Sequence, residues 1–202
     1  MANKTGHIWI LLGLLLLLNG CVSRKIYSTN YFQEHESTLT LIEKTYKTIY
    51  QQKHFSLAFT DRSFNYISLE IMTDTLKYIY EFNVQETRLK DSLLKFGLPV
   101  ESITGLIEKM KSIKCIWINN LDYYSNNQQH SLVFMSIRHL PVHIPFTYEK
   151  YYILTFYEQP QYFDSEGRLL ERRRLRKLRK INDEIFRRIN DKVCYTISER
   201  FR

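Results

Sequence analysis

Apolar positions fall along this chain in blocks of different period. Between residues 36 and 53, Leu39, Ile42, Tyr46 and Ile49 recur at three- and four-residue intervals. Side chains at that spacing share one face of a helix, so this stretch is predicted helical with those four turned to a core. The period then drops to two. Phe55-Ser-Leu-Ala-Phe59 alternates; Ile67, Leu69 and Ile71 alternate with Tyr66, Ser68 and Glu70; Tyr78, Tyr80 and Phe82 share one face between residues 76 and 84. Alternation with aromatic and β-branched residues predicts three strands, the first two joined by a turn at Asp61-Arg62-Ser63. Residues 85–96 read as a helix stopped by Gly97. A second helix runs from Pro99, a residue suited to a first turn, to about residue 112. Further strands are predicted at 114–121, 130–139, 151–158 and 193–197. A polar connection lies at 125–129, and Pro141 and Pro145 break the chain.

The last predicted helix is residues 168–190, entered by a turn at Asp164-Ser-Glu-Gly167. Leu175, Leu178, Ile185, Phe186 and Ile189 form its stripe. Arg172, Arg173, Arg176, Lys177, Lys180 and Arg187 project from the other side, while Arg174 and Arg179 flank the stripe. The element order is therefore helix, three strands, helix pair, three strands, helix, strand. Segregated runs of strands and helices predict an α+β domain with helices packed on an antiparallel sheet. Leu41-Ile-Glu-Lys44 and Leu106-Ile-Glu-Lys109 are identical, which raises a duplicated helix-plus-three-strands unit.

The start of the chain has a different grammar. Lys4 supplies a positive start, residues 8–18 are an unbroken apolar run, and Leu18-Asn19-Gly20-Cys21 closes it. A membrane-spanning helix needs roughly 20 apolar residues, so this run reads as a secretory signal over residues 1–20. The Leu-x-Gly-Cys sequence resembles the lipobox of bacterial lipoproteins. The resemblance covers residues 1–21 only. It implies cleavage before Cys21, a diacylglycerol on its thiol and a membrane anchor. Residues 21–34 would be a lipidated tether and 35–202 a single domain. Val22-Ser23-Arg24-Lys25 contains no acidic residue, and by the same resemblance this favours the outer membrane, facing the periplasm.

Composition removes several functions. Of six glycines, Gly6, Gly13 and Gly20 lie in the signal, leaving Gly97, Gly105 and Gly167. Loops that cradle phosphate need backbone close to the ligand and usually several glycines, and neither a P-loop nor a dinucleotide fingerprint is present. Charge is concentrated. Residues 168–188 hold ten basic and three acidic side chains, a net of +7, which equals the net charge of residues 21–202. This segment is the candidate anion- or partner-binding surface, through Arg172, Arg173, Arg176, Lys177, Lys180 and Arg187. The alternative is a solvated helix face. An envelope location points to anionic lipid or an acidic envelope protein and away from nucleic acid.

Cys115 and Cys194 are the thiols that remain after Cys21. An oxidising compartment would allow a disulfide between them; the alternative is two separately buried small side chains. Their spacing fits neither a zinc site nor a redox motif. His139 and His143 invite a metal reading, but Pro141 rules out the regular helix that would align them, and no metal or cofactor is expected. No strained Gly-flanked serine or paired-carboxylate motif stands out. The sequence thus points to a non-enzymatic binding or scaffolding lipoprotein. The alternative is an envelope hydrolase with a site assembled over the sheet, which a cavity gathering His and carboxylate groups would favour.

Overall fold

The computed structural model describes residues 24–73, 75–125, 128–138, 149–171 and 177–199. Cys21, the apolar leader, His139, His143 and Arg172–Arg176 lie outside the described residues. The chain divides into two compact units, residues 1–34 and 35–202. None of the described helices is long and apolar enough to cross a membrane.

The architecture is α+β: among the described residues, three helices and an eight-stranded antiparallel sheet against which the helices pack. Helix α1 spans Arg24–Tyr50 and is followed by β1 (Phe55–Phe59), β2 (Tyr66–Met72) and β3 (Lys77–Asn83). Helices α2 (Thr87–Lys95) and α3 (Val100–Ser112) precede β4 (Cys115–Ser125), β5 (Gln128–Arg138) and β6 (Tyr151–Tyr157). Three two-residue strands come next: β7 (Lys180–Ile181), β8 (Glu184–Ile185) and β9 (Arg187–Arg188). β10 (Val193–Ser198) closes the chain.

The expected core face of α1 is correct: Leu39, Ile42, Tyr46 and Ile49 are all buried. Residues 24–34, within the expected 21–34 tether, are helical. The helix runs continuously from Arg24, with no Pro or Gly before Tyr50. Propagating a helix costs far less than starting one, so a docked amphipathic segment carries its flank with it. At the other boundary, Gly97 (φ 69°) ends α2. The Gly97 N–H donates to the Leu94 carbonyl at 3.0 Å and the Leu98 N–H to the Leu93 carbonyl at 2.8 Å. These bonds satisfy the last carbonyls in a left-handed cap that glycine adopts without strain.

Sheet order is β3-β2-β1-β4-β5-β6-β10-β9. Two antiparallel meanders, β1–β3 and β4–β6, meet where Leu57 pairs with Ile118 and Ala58 with Trp117. Each meander follows helical structure, which matches a helix-plus-three-strands order in both halves. The identical tetrapeptides do not occupy equivalent places, however: Lys44 lies eleven residues before β1 and Lys109 six before β4.

Register assigns the two faces. Phe55, Leu57 and Phe59 pair with Ile71, Leu69 and Ile67, all buried, and this face receives the helices through contacts such as Tyr46 on Phe55. Side chains one residue out of phase point the other way. Over β4, β5, β6 and β10 that second face carries its own core, including Trp117, Phe134, Ile153, Tyr157 and Cys194. Leu169, Ile181 and Phe186 belong to the same cluster.

The helix expected at 168–190 is therefore not found among the described residues of that range. Among the described residues this segment is a series of reversals held by the bridges Phe163–Leu169 and Leu170–Leu178 and the pairs β7–β8 and β9–β10. Leu169, Leu170 and Ile181, which the helical stripe left out, are buried, whereas Leu178, Ile185 and Ile189 are only half-buried. The physical reason is tertiary. An aromatic sheet face needed a cover, and burial against it outweighed the helix propensity of a Leu-, Arg- and Lys-rich stretch, which is worth only tenths of a kcal/mol per residue.

Candidate functional site

The local cause of these reversals is turn chemistry. Asp164 accepts from the backbone N–H groups of Glu166 (2.9 Å) and Arg168 (2.8 Å), and Gly167 takes φ 74°. Further on, Asn182 (φ 52°) and Asp183 (φ 64°) both adopt left-handed backbone between Ile181 and Glu184, which pair with each other. Two consecutive left-handed residues make the type I′ turn that suits a two-residue hairpin. The Asn182-Asp183 dipeptide was the sequence signal for this turn, and the helical period concealed it.

The hairpin leans over the sheet beside a cavity of about 750 Å³. Its floor is Trp117 and Phe134, whose ring centroids lie 6.4 Å apart with planes 9° from parallel. Asn119 pairs with Phe134 and Ser136 with Ile153, so adjacent strands bring these rings and Ile153 together on one face. The rim is polar. Asn182, Asp183 and Glu184 come from the hairpin, Thr196, Ser198 and Glu199 from β10 and its end. The Thr196 hydroxyl sits 3.2 Å from the Ile185 carbonyl and 3.4 Å from Glu184 Oε2, which ties the hairpin to β10. A shallower trough of about 540 Å³ continues across the sheet from the same Trp117, Phe134 and Asn182. Along it the Glu70 carboxylate accepts from Ser56 Oγ at 3.1 Å and pairs with Lys77 Nζ at 2.7 Å.

Of the six residues expected to form one basic surface, three are described. Arg172, Arg173 and Arg176 lie outside the described residues. Lys177 is exposed, with its ammonium 3.3 Å from Glu171. Lys180 is exposed on β7, and Arg187 is exposed on β9 opposite Tyr195. Arg179 behaves differently from all of these. Its guanidinium lies 4.8 Å from the Tyr123 ring centroid and 5.6 Å from that of Tyr157, with Nη1 3.4 Å from Gln161 Oε1. Burial pushes the Tyr157 phenol far up, and its hydroxyl has no hydrogen-bond partner among the described residues.

Cys115 and Cys194 are buried free thiols, so the disulfide is corrected. Cys115 pairs with Ile137 and Cys194 with Thr155. The two strands are separated by β5 and β6, and three strand spacings amount to roughly 14 Å. A disulfide requires Cα atoms within about 7 Å. Burial pushes the Cys115 thiol up to about 12 and raises that of Cys194 further.

Among the described residues no group of three or more His, Cys, Asp and Glu could hold a metal. His130 and Ser131 both approach Glu158, at 3.8 Å and 2.9 Å. The two contacts fall on different oxygens of the Glu158 carboxylate. The sequence reading missed Trp117 and Phe134 because nothing in their spacing distinguishes a cavity floor from core. The chain matches no family model, and no significant similarity to curated proteins or solved structures was found.

Proposed function

We propose that this chain is an envelope lipoprotein, anchored through Cys21, whose domain binds a ligand on the sheet face opposite its helices. The observation that carries the reading is the cavity beside the 180–185 hairpin, where two near-parallel rings form the floor and amide, hydroxyl and carboxylate groups form the rim. Concave sites with an apolar base and a few convergent polar groups are the usual form of small-ligand sites. The leader and Leu-x-Gly-Cys21 support a location at the periplasmic side of a membrane. Several acyl chains on Cys21, at roughly 0.8 kcal/mol per buried methylene, would hold such a domain there. Exposed Lys177, Lys180 and Arg187 favour contact with anionic lipid or an acidic envelope protein on the outer side of the hairpin segment.

The test replaces Glu184 with a photo-crosslinking amino acid in cells, alongside a control placement at exposed Glu81 on the β3 edge. Acyl mass on Cys21 and an adduct specific to position 184 are expected, and Cys21→Ser should move the protein out of the membrane fraction. A wild type without acyl mass, or identical adducts at both positions, would overturn the proposal.

A further inference from the structure

The described lining of the cavity is acidic, opposite in sign to the chain as a whole. The protein carries a net charge of +8. Yet the described residues lining the cavity include Asp183, Glu184 and Glu199 and no Lys, Arg or His. These three carboxylates come from two elements that the antiparallel layout brings together, the hairpin tip and the end of β10. They line the same cavity as the near-parallel rings of Trp117 and Phe134. Aromatic faces carry negative quadrupole and attract cations, and carboxylates at the mouth add to that attraction in the same direction. An anion would meet repulsion from both. A neutral apolar ligand would gain the floor alone.

We infer that the cavity takes an organic cation, an ammonium or guanidinium group attached to an apolar body, with the apolar part on Trp117 and Phe134 and the charge toward Asp183, Glu184 and Glu199. This rests on the proposed binding role of the same cavity and names the ligand class. The ligand is small enough for about 750 Å³, so a free amine or a single side chain of a basic peptide fits and a folded partner does not.

The sequence provides a reporter. The chain has two tryptophans, Trp9 in the leader and Trp117 in the floor. In full-length protein carrying Trp9→Phe, all indole fluorescence comes from the cavity. The probes are phenethylammonium, its neutral isostere 2-phenylethanol and its anionic counterpart phenylacetate. A saturable change with the cation is expected, with an apparent Kd at least about tenfold below that for either isostere. Raising salt should weaken the cation and leave the alcohol unchanged. Asp183→Asn keeps a residue that tolerates left-handed backbone, and combined with Glu184→Gln and Glu199→Gln it should erase the preference. If the triple variant unfolds, the salt series on the parent protein and the Asp183→Asn single variant decide the matter. Equal binding of all three probes, or tighter binding of the alcohol, overturns the cation assignment and leaves the cavity as a binding site. No saturable response to any probe overturns the cation assignment as well. Failure of the broader binding role is read separately, from the adduct pattern at position 184 in cells.

Discussion

The Tyr46 hydroxyl donates to the Phe55 main-chain carbonyl across 2.6 Å, and the two rings pack 4.9 Å apart. One side chain thus ties the last turns of α1 to the first residue of β1, where both rings are fully buried. Burial pushes the phenol well above its ordinary range, so it remains a donor at any working pH. Tyr46→Phe keeps the ring and removes the donor. A loss of about 1–2 kcal/mol is expected, read as a lower urea midpoint at unchanged slope. Tyr46→Ala should cost about 3–5 kcal/mol by opening a cavity. An unchanged midpoint in Tyr46→Phe would show that water replaces the bond.

Cys115 makes alkaline stability predictable. Its thiol is fully buried, and its folded pKa of about 12 lies above that of the unfolded chain. The folded state therefore holds a proton that the unfolded chain loses from about pH 8.5 upward. The stabilisation is complete below that pH and falls by about 1.4 kcal/mol per unit as pH rises toward 12. Cys115→Ala should be less stable at pH 8 but flatter in urea unfolding between pH 8.5 and 10. Parallel curves for the two proteins would refute the assignment.

The type I′ hairpin at Asn182-Asp183 gives a test of opposite sign to a helix. Asp183→Gly should stabilise by up to about 1 kcal/mol, because glycine accepts φ 64° freely. In a helix the same change would cost a few tenths of a kcal/mol, since Asp is itself a poor helix former. Asn182→Val should cost about 1–2 kcal/mol here, since a β-branched residue resists left-handed backbone. Thermal melts of the two variants, compared with wild type, distinguish the two structures.

Arg179 should outweigh its basic neighbours. It stacks on Tyr123 and Tyr157, whereas Lys177 meets Glu171 in solvent. Arg179→Gln is expected to cost about 0.5–2 kcal/mol. Lys177→Gln should stay within about 0.5 kcal/mol. Equal small effects in denaturant titrations would mean that the stacking contributes nothing net.

What the sequence determined by itself was every element whose side-chain period is set locally. Leu39, Ile42, Tyr46 and Ile49 mark the buried face of α1, and the alternation in 55–59, 66–72 and 77–83 marks strands, because helix and pleat geometry repeat within a few residues. The α+β class follows from the order of such elements. Residues 168–190 show where local period stops deciding. Their Leu, Arg and Lys content is compatible with a helix, and the choice of short hairpins depended on the Trp117, Phe134 and Ile153 surface beneath them. The cavity floor and the separation of Cys115 from Cys194 are of the same kind. Both follow from which strands are neighbours, and β1 pairs with β4 across a separation of about sixty residues. Strand order is settled by burying two faces of one sheet at once, a condition on the whole chain that no window of sequence contains.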